Sequence, residues 1–210
     1  MRNSNEDPRG KPGFNRRDFL KGTGAAVAAT AMATAGDEAD AQEKKKKRQA
    51  NVVGPEAADV TLNVNGKEHT LKLEPRVFLL EALRNDLNLT GCKDVCDTTN
   101  CGACTVIIDG DPKLACSTLA VECEGKQIRT VESLREGERV DPVVRCFVKH
   151  DAMQCGFCTP GFVMAVRAFL DKNPNATLEQ IRRGLGGNIC RCGTYDGITD
   201  CALELSKGGA

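Results

Sequence analysis

Cys96, Cys101 and Cys104 lie in the stretch CDTTNCGAC, and Cys116 follows to give the spacing C-x4-C-x2-C-x11-C. Three thiols on one loop and a fourth beyond it is the plant-type arrangement for a [2Fe-2S] cluster, which thiolates hold through iron. Gly102 suits such a loop. Backbone N–H groups must approach the inorganic sulfides, and a side chain there would obstruct them. A second set, Cys155, Cys158, Cys190 and Cys192, reads C-x2-C-x31-C-x1-C. Its first pair precedes a helix start at Thr159-Pro160, where the positive end of the helix dipole favours thiolate over thiol. Gly186 and Gly187 let the chain bend before the other pair arrives. On spacing alone this second set fits structural zinc as well as iron, because C-x2-C pairs serve zinc very often.

The elements that must carry these thiols can be read around them. VTLNVNGKEHTLKLE alternates Val60, Leu62 and Val64 with Leu71 and Leu73 across Asn65-Gly66, the pattern of a hairpin with its turn residues in place. RVFLLEALRNDLNLTG sets Leu79, Leu80, Leu83 and Leu87 at helical spacing between Pro75 and Gly91. A second hairpin turns at Asp109-Gly110, and KQIRTVESL adds a last strand. That sequence of elements predicts a small α+β sheet domain with one helix on a face. Beyond Gly137 the strand pattern stops. Asp141-Pro142 starts one helix, TPGFVMAVRAFLDKNP makes another, Thr177 and Gln180 form a capping box for a third, and DGITDCALELSKGG ends the chain with a fourth. Four short helices predict a bundle, with a domain boundary near residues 133–140.

Composition limits the remaining function classes. Twelve cysteines in 210 residues fall below the roughly 8 to 10% that marks a short disulfide scaffold by composition alone. Formal charge is zero overall; residues 58–210 hold 18 basic against 21 acidic side chains, which excludes a nucleic-acid-binding surface. Residues 1–41 read as a twin-arginine signal peptide. Arg16 and Arg17 precede Phe19 and Leu20, a weakly apolar Ala/Thr/Gly run follows, and small-residue cleavage patterns end at Ala35 and Ala41. The run is shorter than the roughly 20 strongly apolar residues of a bilayer span, so no transmembrane segment is expected in the mature chain. Residues 42–57, with five basic residues against two acids, read as a solvated linker.

CDTTNCGACTVIIDG through Cys116, QCGFCTPG at 154–161 and GNICRCGTYDGI at 187–198 together resemble the small iron–sulfur subunit of the molybdenum hydroxylases, the xanthine oxidase and aldehyde oxidoreductase family. The likeness spans about 58–206, in motif order and in domain order. It implies two [2Fe-2S] clusters. A β-grasp (plant-type ferredoxin-like) domain over 58–134 would hold the first, and an all-α four-helix bundle domain over 138–210 the second. It also implies a separate large subunit carrying the molybdopterin cofactor, with Gln154 and Cys192 as the contacts on that side. Two departures stand out: Cys92 occupies a position where the family carries a small hydroxyl residue, placing a competitor for iron beside Cys96, and CDTTNC is poorer in glycine than the usual loop. Cys146 and Cys201 fall on apolar helical faces and read as small buried hydrophobes, and Cys123 completes the twelve. His69 lies in a strand and His150 near a helix end, not in the paired spacing that Rieske-type ligation needs.

The sequence contains no nucleophile–base pair, phosphate loop or dinucleotide fingerprint, so substrate chemistry is expected in the partner and this chain is expected to be a conduit for electrons. A periplasmic location follows from the signal, and with it a c-type cytochrome or another periplasmic acceptor. Twin-arginine export also fits the cofactors, since thiols meeting an oxidising compartment before assembly would pair as disulfides. The rival readings are a zinc-stabilised binding module, a free-standing ferredoxin-type module and a disulfide-stapled secreted protein.

Overall fold

The computed structural model describes residues 54–208; the signal peptide expected over 1–41 and most of the linker expected over 42–57 lie outside the described residues. Strands β1 (Ala58–Val64) and β2 (Lys67–Leu73) pair antiparallel with Val64 opposite Lys67. That register leaves two residues for the turn, Asn65 at φ 53° and Gly66 at φ 77°. Both are left-handed, as the twist of a two-residue hairpin demands. The second hairpin repeats the device: β3 (Thr105–Ile108) and β4 (Asp111–Leu114) are joined by Asp109 at φ 50° and Gly110 at φ 83°. With β5 (Gln127–Arg129) they form a five-stranded sheet in the order β2-β1-β5-β3-β4, in which β1 and β5 run parallel. Val60, Leu62, Val64, Val106, Ile108 and Ile128 point from it into one hydrophobic cluster.

The helix expected around Leu79–Leu87 is shorter and wider than its spacing predicts. Helix α1 covers only Leu79–Glu81 and opens into a π turn over Ala82–Asp86, with the Leu87 N–H bonded to the Ala82 carbonyl at 3.1 Å. Two tethers stop an α-helix from continuing. The chain turns left-handed at Asn88, φ 55°, and the Arg84 guanidinium donates to the carbonyls of Thr90 (3.1 Å) and Cys92 (2.8 Å). Leu79, Leu80, Ala82 and Leu83 still reach the core. Helical periodicity was a sound guide to burial here, and a poor guide to hydrogen bonding.

A short hairpin, β6 (Arg135–Glu136) and β7 (Arg139–Val140), leads to four helices: α2 (Pro142–Lys149), α3 (Thr159–Lys172), α4 (Leu178–Gly184) and α5 (Tyr195–Ser206). Asp141 caps α2, accepting from the Val143 N–H at 2.8 Å, and Thr177 and Gln180 close the capping box on α4 reciprocally. Helix α5 contacts α2, α3 and α4. Phe147, Phe162, Ile181, Ile198 and Cys201 fill the second hydrophobic cluster, which Ile107 of β3 also joins where α3 lies against the sheet. The described residues belong to one compact unit, Val53–Ala210. Among them no helix is long and apolar enough to cross a membrane.

Candidate metal centres

The first cysteine loop runs from the π turn to β3, and most of its order is imposed from outside. The Gly91 N–H donates to Glu132 (2.8 Å), whose other oxygen accepts from the Thr130 hydroxyl (2.6 Å), and Thr130 is bonded in turn to both ends of the Asn65 amide at 2.8 Å. Asn65 therefore serves its hairpin turn and anchors the loop. Asp97, Thr99 and Gly102 have positive φ, which coils the chain tightly between Cys96 and Cys104. The β3–β4 hairpin then returns Cys116 to Cys104: Thr105 faces Leu114, and the next residue, Ala115, donates its N–H to the Cys104 carbonyl at 3.2 Å.

The four thiols of this set interact in sequence. Cys96 and Cys101 influence each other's protonation, as do Cys101 and Cys104, and Cys104 and Cys116. Cys96 is held down at about 6, first by the Thr98 backbone N–H and then by the Cys101 thiol. Burial pushes Cys101 up, and burial with its Cys116 neighbour pushes Cys104 up to about 12. Cys92 is close to this group but differs from it. It is buried, burial drives its thiol far above the ordinary range, and its Sγ donates to the Cys104 carbonyl at 3.3 Å. That bond uses Cys92 to brace the backbone of the loop.

In the second set, Cys155 and Cys158 sit before α3, and Cys190 and Cys192 sit between α4 and α5. Cys155 and Cys192 influence each other's protonation, as do Cys158 and Cys190, and Cys155 and Cys192 each also feel Cys190. Gly156 and Gly193, both at φ 80°, make the two bends. The Phe157 N–H and then the Cys192 thiol lower exposed Cys155. Cys158 goes the other way, up to about 12, through burial and then its Cys190 neighbour. Desolvation also opposes ionisation of Cys190, but bonds from the Thr194 hydroxyl and N–H prevail and bring it down to about 7. The Cys190 N–H donates to the Tyr195 phenol at 2.8 Å, and the Tyr195 ring meets buried Phe162 edge-to-face, centroids 6.0 Å apart. Gln154 is exposed beside Cys155.

The two loops are fastened to each other. The Ile189 N–H donates to the Cys101 carbonyl at 2.9 Å. Asn188, buried, donates its amide to the Gly102 carbonyl (2.8 Å) and to the Thr105 hydroxyl (3.2 Å), which itself donates to Gly102 (2.6 Å). There is no room for a side chain at the junction: a Cβ on Gly102 would lie 2.6 Å from the Asn188 amide and 2.7 Å from the Gly187 carbonyl oxygen. Sequence reasoning assigned no role to Asn188, Thr105, Glu132, Thr194 or Tyr195. The one available signal was that three of them neighbour cysteine ligand candidates.

Both sets suit a sulfur-ligated cofactor. All eight thiols are free of disulfides, neighbours within each foursome are near enough to feel one another, and the buried Thr159 hydroxyl next to Cys158 has no protein partner. Among the described residues, Cys146, His150 and Glu204 place potential ligand atoms within 4.8 Å of one another. There, however, Lys149 bonds both Glu204 oxygens (2.7 and 2.8 Å) and His150 bonds one (2.7 Å), so a cation already fills the place.

Comparison with known proteins decides among the cofactors. Residues 59–158 match a 2Fe-2S iron-sulfur cluster binding domain, residues 130–203 a [2Fe-2S] binding domain, and residues 13–33 a TAT (twin-arginine translocation) pathway signal sequence. The chain is 42% identical over 146 residues to the nicotine 6-hydroxylase small subunit of Paenarthrobacter nicotinovorans, covering 70% of this chain and 88% of that one. It is 38% identical over 210 residues to the aldehyde oxidoreductase iron-sulfur-binding subunit of Escherichia coli K12, covering 93% and 89%. The chain belongs to the iron–sulfur subunits of the xanthine oxidase and aldehyde oxidoreductase family. As such a subunit it has an electron-transfer role in an oxidoreductase of the molybdenum hydroxylase type, and its signal directs it to the twin-arginine pathway. Solved structures agree with the α+β fold of this iron–sulfur subunit. Quinoline 2-oxidoreductase from Pseudomonas putida 86 superposes with a TM-score of 0.69 at 40% identity, over 72% of this chain and 93% of that one. The aldehyde oxidoreductase from Desulfovibrio desulfuricans gives 0.68 at 35%, over 72% of this chain and 17% of that one.

Proposed function

We propose that this iron–sulfur subunit carries electrons, within a periplasmic complex, from a molybdopterin-bearing large subunit to a c-type cytochrome or another periplasmic acceptor. Cys96, Cys101, Cys104 and Cys116 hold one cluster, in the ferredoxin-like part (58–134). Cys155, Cys158, Cys190 and Cys192 hold the other, in the helical part (138–210). Two [2Fe-2S] clusters supply one-electron storage at two points, which divides a two-electron oxidation into single transfers. The chain's own residues fix the spacing between those points. The observation that carries this reading is the direct bond between the two loops, from the Ile189 N–H to the Cys101 carbonyl at 2.9 Å, with Asn188 beside it. A module built for zinc alone has no need to join two thiol sets through backbone.

Exposed Gln154, Cys155, Phe157 and Ile189 leave the second thiol set open to a partner, and on this reading Gln154 and Cys192 face the pterin. Electron paramagnetic resonance of the dithionite-reduced complex is expected to give two distinct rhombic signals. A single signal removes half of the proposal, and none removes it all. The large subunit is expected to travel on this chain's signal. Replacing Arg16 and Arg17 together by Lys should therefore leave both subunits in the cytoplasm, as fractionation with antibodies to each would show. Continued export of the large subunit would overturn shared passage.

A further inference from the structure

We infer that the Thr194 hydroxyl raises the reduction potential of the cluster held by the helical domain, by donating a hydrogen bond to the Cys190 sulfur. The inference rests on the iron–sulfur reading above and adds to it a residue that is not a ligand. Thr194 Oγ1 lies 3.2 Å from Cys190 Sγ, and both residues are buried, at 8% and 6% exposure. Between two neutral groups either atom could donate. A metal-bound cysteine has no proton, so the hydroxyl becomes the donor and the sulfur the acceptor.

The neighbouring bonds make this contact matter. The Cys190 N–H is committed to the Tyr195 phenol at 2.8 Å and is not free to turn toward a sulfide. Tyr195, packed on Phe162, holds the turn that places Thr194. Reduction adds one electron to the cluster and breaks no bond. The added negative charge spreads onto the cysteine sulfurs, and a donor aimed at one of them stabilises the reduced state more than the oxidised one. Low exposure strengthens the effect, because little water competes for the sulfur. The cluster of the ferredoxin-like part has no share in this bond and should not respond to its loss.

The test is a potentiometric titration of the whole complex, followed by paramagnetic resonance, for the wild type, Thr194→Val, Thr194→Ala and Thr194→Ser. Removing the hydroxyl is expected to lower the reduced-to-oxidised ratio of the helical-domain cluster about tenfold at a fixed potential, which for a one-electron couple is about 59 mV toward more negative values. Serine should restore the wild-type midpoint, and the other cluster's midpoint should stay put in every variant. Wild-type midpoints in Thr194→Val with both signals present would overturn the inference. So would loss of that cluster from both the valine and alanine variants while serine retains it, since the hydroxyl would then serve assembly. A wild-type complex without two signals defeats the underlying reading first, and is recognised before any variant is made.

Discussion

Gly161→Ala drives the two cysteine loops apart. A Cβ at this position, in the first turn of α3, would collide with the Gly102 carbonyl oxygen and lie 2.9 Å from Cα and 3.1 Å from C of Ala103. All three are backbone atoms, and the Gly102 oxygen already accepts from Thr105 and Asn188, so no side chain can swing away to make room. Overpacking typically costs about 1 to 3 kcal/mol and occasionally more. A rigid obstacle puts this substitution at the upper end. Denaturation by urea should show that loss. In the reduced complex, the magnetic interaction between the two clusters should weaken as α3 backs away from the loop. Stability within about 0.5 kcal/mol of wild type, the range of an ordinary surface substitution, would mean that the close approach is not a constraint.

Phe162→Ala should cost more, about 3 to 5 kcal/mol, the range for truncating a buried phenylalanine. The side chain is 1% exposed within the second hydrophobic cluster. Against a total stability of about 5 to 15 kcal/mol, that is a large share. The damage should also be directional. Phe162 supports the Tyr195 ring, and Tyr195 holds the Cys190 N–H, so the helical-domain cluster should be lost while the ferredoxin-like signal survives. Tyr195→Phe separates the two effects: it keeps the ring contact and removes one hydrogen bond, with an expected cost of about 1 kcal/mol. Equal loss of both signals in Phe162→Ala would show a general collapse instead.

Features that depend on a few adjacent residues were legible in the sequence. Asn65-Gly66 and Asp109-Gly110 form the turns expected of them, and Asp141 and Thr177 cap the helices they precede. What escaped depends on distant partners. Arg84 ends α1 early by binding the carbonyls of Thr90 and Cys92, and hydrophobic spacing contains no trace of that. Asn188 has no role assigned by its sequence neighbours, and its partners Gly102 and Thr105 are 86 and 83 residues away. Burial, which pushes the Cys158 thiol up to about 12, is likewise a property of the folded molecule.

Asn188 can reach Gly102 only when the ferredoxin-like loop and the helical loop have both taken their final shapes. On the reading proposed for the thiols, those shapes are completed by metal, and free energy of metal binding is free energy of folding. Insertion of either inorganic core therefore preorganises the opposite site and makes its filling easier. Half-loaded intermediates should be scarce during maturation.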